Sequence, residues 1–421
     1  MKKSSPIFKH WPLLLVGILT LHLVLLVSIR FTAWPEMLFW PYLLTKGWLP
    51  YRDIAIAHTP FLVLVLSFFY KIVGVGIRQQ QIISWLVVLL SDILLFFTIR
   101  NLFNIKKALL SLFFYIFLQV YYEGNGIWFD HALAPFVILI FFLLQKKRMF
   151  LAGIFWGLAL VTKQTAFWFL FPIIFSKPTF SFFKGVILVL TIFVMGLLLT
   201  GLWVDFYHWA VNFGIGTLPR LTGQVSPPST RELFSSLAPI LIFIPFSPIS
   251  FWPWLIAGSL GVMPRFEFFH FQPALPFLAL LYAKAINRKA FIPLLLIVSI
   301  MLGRGLYRGL LAPPRFHDDN DKKIISLVKE KTKPGETIFV TGYWDNLYPL
   351  TETIPATKPF IPQLSWYLSQ PGTSEGILSV LIDAKPKVAI RKKEPGAIGD
   401  YLDKNYTIVN SVGTVDILEI K

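Results

Sequence analysis

Long apolar runs dominate the first three quarters of this sequence, and they constrain the fold more than any other feature. "WPLLLVGILTLHLVLLVSIRF", "IISWLVVLLSDILLFFTIR" and "KGVILVLTIFVMGLLLTGLW" each match the length an α-helix needs to cross a bilayer core roughly 30 Å thick, about 20 residues at 1.5 Å each. With 55% hydrophobic and 14% charged residues and a mean hydropathy of +0.65, the chain has more apolar surface than a water-soluble globule can hide. It reads as a polytopic α-helical membrane protein. The net charge of +17 does not point to nucleic acid, because the basic residues are spread along the loops. Anionic lipid is the expected counter-charge. Without cysteine there is no disulfide, thiolate nucleophile or thiolate metal site.

Lys and Arg concentrate in cytoplasmic loops, so the basic clusters orient the helices. Lys2, Lys3 and Lys9 place the amino terminus in the cytoplasm. The first apolar segment, 11–29, is too long for a signal-peptide core and lacks a small-x-small cleavage site, so it reads as an uncleaved helix. Residues 30–81 form a large first outer loop, in which 60–74 lies along the interface. Further helices follow near 82–100, 108–121, 132–145, 149–162, 165–176, 185–203, 233–246, 251–263, 271–286 and 291–303, the last pair meeting at Arg288 and Lys289. That gives about eleven crossings. Residues 1–312 are thus expected as a transmembrane module and 313–421 as a small extracytoplasmic α/β domain in the cytoplasmic membrane. "DDNDKKIISLVKEKTKPGETIFVTG" reads as an acid-started helix, a Pro-Gly turn and a strand; "ILSVLIDAKPKVAIRK" repeats helix and strand; "YTIVNSVGTVDILEI" alternates like a closing hairpin.

Charge at bilayer depth costs roughly 2.5–3.5 kcal/mol even on lenient scales, so such groups usually face a cavity and serve a purpose. Glu36, Arg52, Asp53, His58, Glu123, Asp130, His131, Lys163, Arg265, Glu267 and His270 all fall at outer helix ends in this topology, which suggests one shared outer pocket. Carboxylates beside cations at a water–lipid boundary suit transfer from a lipid-linked phosphate: a base takes the acceptor's proton while cations steady the departing phosphate. Glu36, Asp53 and Asp130 are the candidate bases. Arg52, His58, Lys163, Arg265 and His270 are the candidate phosphate partners, Arg through its planar fork and Lys as a point charge. Competing structural readings exist for each. Asp53 could simply cap a turn, His58 could hydrogen-bond at the interface, Lys163 could snorkel, and Arg265 with Glu267 could be a plain surface pair. His22 and Asp92, inside helices, read as hydrogen-bonders within the bundle.

The order of these motifs resembles the bacterial GT-C glycosyltransferases related to protein O-mannosyltransferases and the lipid A aminoarabinose transferase. An acid follows the first helix; then come "GWLPYRDIAIAHTP", "WFDHALAP", "GLALVTKQT" and "RFEFFHFQPALPF". The resemblance covers roughly residues 10–310. It implies transfer of a sugar from a polyprenyl-phosphate donor to a glycan, lipid or protein acceptor at the outer face, with inversion. It further implies Glu36 and Asp130 as the carboxylates and Lys163 and Arg265 as phosphate partners. Relatives often start the first loop with an adjacent Asp-Glu pair, whereas this chain has Glu36 alone in "TAWPEML", so the base stays open among Glu36, Asp53 and Asp130. Mg²⁺ or Mn²⁺ would suit such a pocket, but no spacing such as H-x-x-x-H singles out ligands. No Gly-rich phosphate loop suggests a nucleotide-sugar donor. The alternatives are a flippase for a lipid-linked sugar, which would place charge at the midplane between repeated halves, and an anchor carrying a recognition domain.

Overall fold

The computed structural model describes residues 10–221, 224–241, 251–285, 291–392 and 396–421. Lys2, Lys3, Lys9, Arg288, Lys289 and the end of the helix expected over 233–246 lie outside these residues. The helices in chain order are α1 (Trp11–Ser28), α2 (Pro35–Thr45), α3 (Phe61–Val73), α4 (Ile77–Leu102), α5 (Ile105–Tyr121), α6 (Phe129–Gln145), α7 (Met149–Thr162), α8 (Leu170–Phe175), α9 (Phe180–Leu199), α10 (Trp203–Phe206), α11 (Thr230–Leu241), α12 (Trp252–Ser259), α13 (Leu275–Ala285) and α14 (Phe291–Leu311). Among the described residues α1, α4 and α9 are long and apolar enough to span a bilayer unaided; α3, α6, α7 and α13 are shorter apolar helices. With 13 residues, α3 is about 20 Å long, short of the hydrocarbon thickness.

The chain packs as two compact units. The first comprises residues 1–31, 82–195 and 226–312. Its core is aromatic: Phe114 of α5 stacks on Tyr282 of α13 with centroids 4.5 Å apart, and Phe141 of α6 meets Trp254 at 5.2 Å and Phe277 at 5.6 Å, both edge-on. Small residues let helices touch backbone to backbone. A Cβ at Gly153 of α7 would strike the Phe182 carbonyl, and one at Gly185 of α9 the Phe150 carbonyl, the close approach that glycine permits between membrane helices. His22 and Asp92 do bond within the bundle, His22 Nδ1 to Asp92 Oδ2 at 2.7 Å and His22 Nε2 to Gln119 Oε1 at 3.1 Å. Gln119 in turn donates to the Gly124 carbonyl at 2.8 Å.

The second unit comprises residues 32–81, 196–225 and 313–421. It contains α15 (Asp319–Lys331), α16 (Leu347–Thr351), α17 (Ser365–Leu368), α18 (Thr373–Ala384) and α19 (Ala397–Asn405), with strands β1 (Thr337–Thr341), β2 (Ile354–Pro355), β3 (Val388–Lys392), β4 (Tyr406–Val412) and β5 (Val415–Ile420). The sheet order is β2-β1-β3-β5-β4; β1 lies parallel to β2 and β3, while β5 runs antiparallel to β3 and β4. The helix–strand repeats and the closing hairpin therefore form as the sequence indicates. The acidic start of α15 is a capping box, in which Asp318 and Asp321 exchange bonds with each other's backbone N–H. The first-loop segment joins this unit: Ala55 N–H donates to the Phe360 carbonyl at 2.9 Å and Phe360 N–H to the Asp53 carbonyl at 2.7 Å.

Candidate active site

In the first unit, three of the expected site residues meet in the interior. Asp130 lies in the first turn of α6, where a carboxylate also complements the helix dipole. Lys163 ends α7 in an extended conformation, which turns its side chain away from the helix path. His270 sits in the short helix Phe268–Phe271 ahead of α13. Asp130 Oδ2 takes Lys163 Nζ at 2.6 Å and His270 Nδ1 at 2.7 Å, and Lys163 and His270 stand 3.4 Å apart. The Asp130 side chain is 0% exposed and that of Lys163 6%, so the cluster is largely closed off from solvent. Beside it, His131 Nε2 bonds the Glu123 carbonyl at 3.1 Å, and the Glu123 side chain meets Arg30 at 3.4 Å. Arg265 pairs with Glu267 at 2.5 Å and keeps 33% of its side chain exposed. It precedes the short helix that holds His270, and its pairing with Glu267 fits the plain-pair reading as well as a phosphate role.

The second unit holds Glu36, Arg52, Asp53 and His58. Asp53 is 8% exposed; its Oδ2 accepts the Leu49 N–H at 2.8 Å and faces Lys358 Nζ at 3.1 Å. The Leu49 bond closes the "LPYRD" turn back on the residues that precede Asp53. Tyr51, at φ 67°, makes the bend, and its hydroxyl donates to the His58 carbonyl at 2.9 Å. Arg52 Nε pairs with Asp205 at 3.0 Å and its Nη2 donates to the Gly201 carbonyl. Glu36 stands at the head of α2, one residue after Pro35, and is half-buried. That helix falls inside what the sequence reading treats as loop; the Pro-Glu start, with proline at the first helical position and an acid next to it, is the signal that marks it. Among the described residues no three His, Asp or Glu side chains group as metal ligands.

One buried acid near Glu36 was not foreseen from the sequence. Asp345, in the loop after β1, is 8% exposed, and its Oδ1 has no hydrogen-bond partner among the described residues. Burial pushes its carboxyl well above the usual carboxylate range, and the negative charge of Glu36 pushes it in the same direction. No local motif marks Asp345, because only the tertiary fold brings it to α2.

Apolar helices together with a small five-stranded α/β sheet make a GT-C-type fold. A family profile described as dolichyl-phosphate-mannose-protein mannosyltransferase matches residues 57–204, the stretch that holds "HTP", "WFDHALAP" and "GLALVTKQT". The fold is that of ArnT from Cupriavidus metallidurans: its undecaprenyl phosphate-bound structure superposes with a TM-score of 0.69 at 13% identity, covering 97% of each chain. Its apo structure gives 0.67 at 13% identity, covering 97% of this chain and 98% of that one. The oligosaccharyltransferase of Archaeoglobus fulgidus in its apo form gives 0.50 at 13% identity, over 89% of this chain and 69% of that one. No functionally curated protein matches the chain in sequence. The resemblance drawn from the five motifs is thereby borne out at the level of fold.

Proposed function

We propose that the protein transfers a sugar from a polyprenyl-phosphate donor to an acceptor hydroxyl at the outer face of the cytoplasmic membrane, with inversion at the anomeric carbon. The acceptor oxygen attacks that carbon opposite the phosphate and gives its proton to a base. The bond from the anomeric carbon to the phosphate oxygen breaks, and the phosphate departs with the electron pair. Glu36 is the base, and one observation carries that assignment. Of the three candidate carboxylates it alone is appreciably exposed, whereas Asp53 and Asp130 are 8% and 0% exposed and are tied to Lys358 and to Lys163 with His270.

Arg265 is the phosphate partner, since its planar guanidinium fork matches a phosphate and a third of its side chain is exposed. The acceptor is a glycan, lipid or protein hydroxyl. Lys163 and His270 act one step back, holding Asp130 in place. The test is purified protein in vesicles with polyprenyl-phosphate sugars, assayed with and without Mg²⁺ or Mn²⁺ for released polyprenyl phosphate. Glu36→Gln is expected to lower transfer by roughly 10²–10⁴-fold, the usual contribution of a general base. Movement of intact lipid-linked sugar across the vesicle without release of the phosphate would establish a flippase instead.

A further inference from the structure

The neighbourhood of Glu36 is built from two distant stretches of the second unit. Helices α2 and α16 pack together, and ring contacts, one stacked and two tilted or edge-on, fasten both sides of the junction. On one side Phe39, one turn after Glu36 on the same face of α2, stacks on Tyr348 at 5.1 Å. Tyr348 lies three residues after Asp345. On the other side Trp34, two residues before Glu36, meets Phe316 at 5.5 Å, and Phe316 meets Trp344, the neighbour of Asp345, at 4.6 Å. Asn346 Nδ2 donates to the Phe316 carbonyl at 2.6 Å, and Tyr42 of α2 donates to the Thr353 carbonyl at 3.0 Å. Glu36 and Asp345 are thus bracketed by contacts on either side, with Asp345 buried and Glu36 half-buried.

From this bracket we propose that Asp345 is a positioning residue for the transfer reaction: it forms a carboxyl pair with Glu36 and carries the pair's single proton while Glu36 carries the charge. The inference rests on the reading of Glu36 as base. The unpartnered, buried Oδ1 of Asp345 is where a shared proton is held, and burial in a low-dielectric spot favours the neutral form of that carboxyl. The other titratable or charged groups nearby are Tyr348 and Tyr367, both pushed up chiefly by burial and further by Asp345 and Glu36 respectively, and Arg315, whose guanidinium lies 5.1 Å from the Trp34 ring. A pair sharing one proton titrates in two coupled steps. When Glu36 accepts the acceptor's proton, the pair becomes doubly protonated and must release one proton to solvent before the next turnover.

The experiment compares wild type, Asp345→Asn and Glu36→Gln in the vesicle assay across pH. Asp345→Asn is expected to lower kcat by about tenfold or more, as misplacement of a catalytic group does. KM for the lipid donor should be nearly unchanged, and the acid limb of the pH–rate profile should move by about one pH unit. Infrared spectroscopy gives a readout that does not depend on that variant folding. Wild type should show a protonated-carboxyl band that persists above the usual carboxylate range and whose titration midpoint falls in Glu36→Gln, where the neighbouring charge is gone. A wild-type rate and pH profile in Asp345→Asn, or a carboxyl band indifferent to Glu36→Gln, overturns the pair while leaving Glu36 as base. Full activity in Glu36→Gln overturns both readings.

Discussion

Single residues of the candidate site are held in place by burial and by specific pairings. Asp130, Lys163 and His270 are mutually dependent because each lies where an unpaired charge is expensive. Removing one member of such a buried pair costs about 3–5 kcal/mol, while replacing both with apolar side chains can be close to neutral. Asp130→Ala and Lys163→Ala are therefore each expected to lower the thermal midpoint of the detergent-purified protein sharply, and Asp130→Leu combined with Lys163→Met to restore much of it. Asp345 gives a second expectation. Its native carboxyl titrates above the unfolded value of about 3.9, so between those values the folded protein keeps a proton that the unfolded chain has lost. Its contribution is fully present below the unfolded value and is lost as pH rises through the native one. A thermal-melt series against pH should show wild type losing stability over that range more steeply than Asp345→Asn. The types and order of the candidate site residues are legible in the sequence. Their partners are not, because Arg52 meets Asp205 across 153 positions and Asp130 meets His270 across 140, and no local pattern encodes such pairings.

Helices and strands formed largely where periodicity and punctuation put them, and the deviations have local causes. The segment expected as one helix over 165–176 begins as a tighter turn, Gln164–Phe169, before α8. Lys163 leaves α7 extended, and the chain must restart. The span expected over 185–203 closes earlier, at Leu199, because Gly201 adopts a left-handed φ of 66° that ends the helix. The strands of the carboxyl-terminal part were legible because alternation and turn residues are local signals; α2 was hidden by its few polar residues and by Pro41 within it. Between helices, close packing of α7 on α9 depends on Gly153 and Gly185, where any side chain meets backbone. Gly153→Val is expected to reduce the folded yield and the thermal midpoint, whereas Gly196→Ala, whose Cβ would enter open space, should leave both unchanged in size-exclusion and melting measurements.

The whole molecule separates into two packed units whose membership does not follow chain order. Residues 32–81 and 196–225 share a unit with 313–421, held by the Ala55–Phe360 and Asp53–Phe360 backbone bonds and by the Asp53–Lys358 ion pair. A chain stopped at residue 312 is accordingly expected to lose the structure around Glu36 and with it all transfer activity, which a vesicle assay on the truncated protein can check against full-length protein of matched yield. The sequence could place a domain after Pro313 from its change in composition. It could not reveal that the first loop folds onto that domain, since the joining contacts are backbone bonds and ring stacks with no sequence signature. This assembly also orders events during biosynthesis. Glu36 is made early and the stretch that packs beside it late, so a ribosome must pass Tyr348 before Phe39 can find its stacking partner.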